Sequence, residues 1–154
     1  MTPDGQRAVS ASDDQTLRVW DLRSGCELRI LTGHATWINA VAVTPDGQRA
    51  VSASFDNTLK VWDLASGREL RTLIGHARAV SAEAVTPDGR RVVSASDDHM
   101  VKLWELETGE VLATFTCDCA AYCCAYSDAL KLIVAGDAGG HLHFLRLEEP
   151  KAKN

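Results

Sequence analysis

Thr-Pro-Asp-Gly occurs three times in this chain, with its proline at 3, 45 and 87, so the same pattern restarts every 42 residues. Trp20, Trp62 and Trp104 keep that step, as do Gly25, Gly67 and Gly109, and His34 and His76 follow it over the one interval they span. Repetition at a fixed period of this size marks an array in which each unit is one supersecondary element stacked on its neighbours. Whatever the chain does is therefore built on repeated units, and departures from the repeat are the places to look for function.

The second unit shows what one element is. Trp37 to Val43 reads as a strand, and Thr44-Pro45-Asp46-Gly47 turns it, proline pre-setting the first central position and glycine closing the turn. Arg49 to Ser54 is a second strand whose small side chains suit packing on both faces. After a tight turn at Phe55-Asp56-Asn57, Thr58 to Asp63 alternates as a strand should, and beyond Ser66-Gly67 a fourth strand spans Glu69 to Leu73. Four antiparallel strands in about 42 residues describe a propeller blade, and helical periodicity is absent throughout.

Several separated motifs then agree at fixed offsets. Gly33-His34, Thr44-Pro45-Asp46-Gly47, Ser54-Phe55-Asp56-Asn57-Thr58 and Trp62-Asp63 resemble a WD40 repeat, and Gly75-His76, Ser96-Asp97-Asp98 and Trp104-Glu105 repeat it. The resemblance implies an all-β WD40 β-propeller region at 1–147, divided into an incomplete blade at 1–32, blades at 33–74 and 75–116, and a diverged last blade at 117–147, before a polar tail at 148–154. In the last unit Ile133 to Asp137 and His141 to Leu147 fit the second and third strands, with Leu145 where tryptophan is expected. Near-identity among the first three units resembles the recently amplified WD40 arrays of bacteria, which often follow signalling or nucleotide-binding domains.

With strands lettered a (inner) to d (outer), the chain holds b-c-d, then a-b-c-d twice, then a-b-c, about three and a half four-stranded antiparallel blades. A closed propeller needs about four to eight. In the family the last blade ends at strand c and the chain's first strand supplies d. The expectation is the C-terminal part of a larger propeller, with Met1 an internal or mispredicted start and the missing N-terminal blades, or another chain, needed for closure. A homodimer of two halves fits poorly, since each junction would join a-b-c to b-c-d, six strands where a blade has four.

Ser52, His34 and Asp56 in one unit suggest a hydrolase triad. The resemblance implies architecture instead: in WD40 proteins a histidine before strand a, a serine of strand b, the aspartate of the b–c turn and the tryptophan of strand c form a buried hydrogen-bond network. That maps onto His34, Ser52, Asp56 and Trp62, and onto His76, Ser94, Asp98 and Trp104. Ser54 and Ser96 share strand faces with Ser52 and Ser94, so the choice of serine stays open. The first unit keeps Ser10, Asp14 and Trp20 without a histidine; in the last, Asp118 occupies the histidine region and the network is expected to be lost.

Cys117, Cys119, Cys123 and Cys124 raise the question of zinc, but adjacent Cys123 and Cys124 on a strand point to opposite faces. Cys124 aligns with Val41, where cysteine serves as a small hydrophobe; Cys117 and Cys119 form a candidate redox-sensitive pair. No metal or cofactor is expected. Glu83 also takes the Val41 position, either lining a watery central channel or destabilising the blade.

The net charge of -5 offers no footprint for a polyanion, so nucleic acid is not an expected partner. No run of about 18 apolar residues exists to span a bilayer, and the first residues lack a secretion signal. The five cysteines then read as thiols of a reducing cytoplasm.

Binding remains. Trp37 sits where the third unit has Ala79, and Phe55 where its neighbours have Asp13 and Asp97; both lie on loops at the end of a propeller that partners usually use. Trp37 and Phe55, with Asp13, Asp97, Arg78 and His99, are the partner-binding candidates. The expected function is a non-enzymatic scaffold or recognition module for proteins or peptides. The alternative is a C-terminal regulatory or sensor segment of a multidomain signalling enzyme, an NTPase or kinase, whose catalytic domain lies upstream.

Overall fold

A computed structural model describes residues 1–146; Leu147 and the tail expected at 148–154 lie outside the described residues. Fourteen strands and no helix occur among them. They form four antiparallel sheets in sequence order. The first holds β1 (Arg7–Ala11), β2 (Thr16–Asp21) and β3 (Glu27–Thr32). The second holds β4 (Ile38–Val43), β5 (Arg49–Ser54), β6 (Thr58–Asp63) and β7 (Glu69–Ile74), and the third β8 (Val80–Val85), β9 (Arg91–Ser96), β10 (Met100–Glu105) and β11 (Val111–Thr116). The fourth holds β12 (Ala121–Ser127), β13 (Leu132–Asp137) and β14 (Leu142–Arg146). Each sheet is a meander, and β4, β8 and β12 lie side by side at the inner end. Strand ends differ from the sequence reading by a residue: β4 starts at Ile38, leaving Trp37 before the strand, and β14 starts at Leu142.

Both faces of the middle blades are buried, which explains the small residues of β5 and β9. Side chains alternate along a strand. In β6, Leu59 and Val61 therefore join the apolar seam with the third blade, while Trp62 joins the seam with the first. In β9, Val92 faces the second blade and Val93 and Ala95 face the fourth. The seams on either side of the second blade bury Val, Leu and Trp side chains, and the seam between the third and fourth buries Val, Leu and Ile without a tryptophan, at about 1.5–3 kcal/mol apiece for the aliphatic ones, so each blade depends on its neighbours for stability.

Polar latches cross the same seams. Arg71 of β7 donates to the carbonyls of Glu107 at 2.7 Å and Thr108 at 3.1 Å in the next blade. Asn39 Nδ2 donates to the Val80 carbonyl at 2.8 Å, tying β4 to β8. Among the described residues β1 has no inner neighbour within its sheet and β14 no outer one. Leu142 and Phe144 on β14 are largely exposed.

Candidate functional site

The b–c turn of the second blade is organised by one carboxylate. Asp56 Oδ1 accepts from the Thr58 N–H at 3.0 Å and hydroxyl at 2.6 Å, closing a turn in which Asn57 adopts φ 72°. Its Oδ2 accepts from the Ala35 N–H and lies 2.7 Å from His34 Nδ1. A carboxylate only accepts, so Nδ1 carries the proton and Nε2 is left to accept from the Ser52 hydroxyl at 2.7 Å. Trp62 Nε1 donates to that Ser52 oxygen at 2.8 Å, completing a one-directional chain from indole to carboxylate. The third blade repeats it: Trp104 to Ser94 at 2.8 Å, Ser94 to His76 at 2.7 Å, His76 to Asp98 at 2.8 Å.

Burial pushes both histidines below their ordinary value of 6.5, outweighing their carboxylate partners. Burial works to raise Asp56, but hydrogen bonds from Thr58, Ala35 and His34 prevail and hold it at about 2. Asp98 is lowered on the same balance. Ser52 and Ser94 are 0% exposed with their hydroxyl protons committed, so neither can meet a substrate from solution. Ser54 and Ser96 do a different task, donating to the Trp37 carbonyl at 2.7 Å and the Arg78 carbonyl at 3.2 Å.

In the first blade Trp20 donates to Ser10 at 2.9 Å, and Asp14 binds Thr16 and Arg18 instead of a histidine. In the last blade Ala135 and Leu145 stand at the serine and tryptophan positions. A different cluster occurs there. Asp137, its side chain fully buried, accepts from the N–H groups of Gly139 at 2.9 Å and His141 at 3.0 Å and lies 2.9 Å from His143 Nε2. The His143 bond leads the causes that hold Asp137 at about 2. The His143 ring packs on Phe115 of the third blade at 5.4 Å. Sequence reasoning missed this cluster; its one signal is a pair of alternating histidines just after an aspartate and two glycines.

All five cysteines are free thiols. Cys124 Sγ lies 3.6 Å from the Val93 carbonyl across a seam, and burial, with the Glu83 charge behind it, pushes its thiol up. Cys117 is buried, Cys119 partly so, and Cys123 and Cys26 are exposed. Among the described residues no three His, Cys, Asp or Glu side chains are grouped to hold a metal ion. Glu83 pairs opposite Ser94 as Val41 does opposite Ser52 and Cys124 opposite Ala135. By that register it faces the seam with the second blade. Its Oε2 is enclosed without a hydrogen-bond partner among the described residues, so water in a channel does not solvate that oxygen.

Trp37 and Phe55 come together in the open. Their ring centroids are 5.8 Å apart at 51°, and the two residues are 53% and 51% exposed. The Trp37 carbonyl is held twice, by Phe55 N–H at 2.9 Å and Ser54 Oγ at 2.7 Å. Ile38 N–H donates to the Ser12 carbonyl of the first blade at 3.3 Å, which sets Trp37 beside the turn bearing exposed Asp13. In the third blade Ala79 is buried, and Asp97 accepts from Ser81 Oγ at 2.9 Å. Arg78 and His99 are exposed there, away from any hydrogen-bonded link to the aromatic pair.

Comparison with known families agrees with the blade architecture. Residues 1–21 and 25–63 match the family described as WD domain, G-beta repeat, and residues 76–147 match the TEP-1 C-terminal beta-propeller. The chain belongs to the WD40 β-propeller family. Its WD40 repeats imply a protein-interaction propeller module, and propellers of this type are generally non-catalytic. Against the WD40 pattern, the aromatic pair is the feature of the second blade that architecture does not require, because its sister blades turn the chain with aspartate and alanine.

Proposed function

We propose that this chain is a recognition module of a WD40 propeller that docks protein partners through Trp37 and Phe55. The observation that carries this reading is the tilted, half-exposed aromatic pair on a hydrogen-bonded blade end. Rigid aromatics supply large contact area at little entropic cost, and such residues dominate interface energetics. Among the described residues β1 has no inner partner and β14 no outer one, which supports a larger ring completed by further blades or another chain. Five free thiols support a cytoplasmic location.

The double variant W37A/F55D gives the second blade the residues of the third, Ala79 and Asp97, which the same fold already carries. Wild type and variant, each checked by circular dichroism, are compared in quantitative pull-down from cytosolic extract. Selective loss of partners from the variant is expected; an identical partner set overturns the proposed face.

A further inference from the structure

We infer that the segment docked on this face is cationic: an extended peptide whose arginine or lysine lies over the Trp37 ring with Asp13 as its counter-charge. The inference rests on the aromatic face proposed above and adds the chemistry of its occupant.

The Ile38–Ser12 bond brings the backbone beside Trp37, a residue about half exposed, up to the turn that carries Asp13, an exposed carboxylate with no hydrogen-bond or ion partner among the described residues. An aromatic face attracts a cation through its quadrupole, and a carboxylate alongside fixes where the charge sits. Phe55 widens the platform for an apolar neighbour of that cation.

The wider field has the same sign. Asp13, Asp14, Asp56, Asp97 and Asp98 all lie in the b–c turns at this end of the blades. Asp56 and Asp98 are held as carboxylates by their hydrogen bonds, and burial pushes the histidines bonded to them toward the uncharged form. Of the cations nearby, Arg18 is committed to Asp14 and Glu27 and Lys60 to Glu69, while Lys102, bonded to the Thr114 hydroxyl, and exposed Arg78 have no carboxylate partner among the described residues. An acidic peptide or a phosphate backbone would meet repulsion here, whereas a basic segment would be steered in.

The test uses a fluorescein-labelled peptide with arginines flanking a leucine, and its arginine-to-glutamine and arginine-to-glutamate versions. Fluorescence anisotropy with the full chain is read at about 50 mM and about 200 mM salt, since screening weakens exposed charge contacts. The expected result is binding of the arginine peptide alone, weakened about tenfold or more in W37A/F55D, as for loss of an aromatic anchor. D13N should weaken it several-fold and flatten its salt dependence. Equal binding of the glutamine or glutamate peptide, failure of the arginine peptide to bind, or indifference to both variants overturns the cationic occupant. If the uncharged peptide binds wild type but not W37A/F55D, the docking face stands and only its charge preference falls. If W37A/F55D retains every pull-down partner, the face itself falls.

Discussion

Arg49 reaches across a seam to the carbonyl of Gly89, its Nη2 donating at 3.2 Å, and Arg7 makes the same contact with Gly47 at 3.2 Å. Both glycines sit at positive φ in the Thr-Pro-Asp-Gly turn, so a motif that reads as a local turn signal also receives a latch from the preceding blade. One step further along, Lys131 replaces the glycine, and Arg91 turns instead toward Glu105 of its own sheet at 3.7 Å.

Removing these two arginines should therefore have unequal effects. R49A is expected to lower unfolding stability by about 1–2 kcal/mol, the worth of a partly buried hydrogen bond from a charged donor. R91A removes a solvent-screened pair and should cost less than about 1 kcal/mol. Urea unfolding of the two variants checks the difference, and equal losses would show that the latch contributes nothing beyond an ordinary surface pair.

H76A should destabilise by about 1–3 kcal/mol, since Ser94 and Asp98 lose a partner inside the blade. The same burial makes stability acid-sensitive. With folded values below 6.5, His34 and His76 take up protons in the unfolded chain first, so their contribution is complete above about pH 6.5 and is lost as pH falls below it. Urea midpoints measured from neutral pH downward should decline, and the decline should be shallower in the double variant H34Q/H76Q.

Glu83 has the opposite dependence. Burial raises its carboxyl from 4.5 to about 8, so between those values the folded chain holds a proton the unfolded chain has released. Stability is full below about 4.5 and falls by up to about 1.4 kcal/mol per pH unit until about 8. E83V restores the residue of the second blade and should stabilise the chain most at pH 8. The difference between E83V and wild type, followed across pH, isolates this group from the histidines; a flat difference would place Glu83 in water.

W37A should leave the unfolding midpoint nearly unchanged, with a cost below about 1 kcal/mol, because half of the indole is already solvated. A loss of about 3–5 kcal/mol, as for a core aromatic, would show that the ring packs into the seam with a neighbouring blade.

The 42-residue step, the alternation within each unit and the turn residues were enough to set fourteen strands in four antiparallel sheets, since period-2 burial and turn chemistry are local properties. They also placed His34, Ser52, Asp56 and Trp62 within one blade. They did not separate Ser52 from Ser54, which point to one face of β5 and differ only in what lies opposite: an imidazole for one, the Trp37 carbonyl for the other. Nor did they show that Asp137 would collect two histidines, that Glu83 Oε2 would be enclosed without a partner among the described residues, or that the Trp37 and Phe55 rings would meet at a tilt. Each of these depends on the distance between groups on different strands or different blades, and that distance is set by how the blades twist and pack against one another, which no single unit of the sequence encodes.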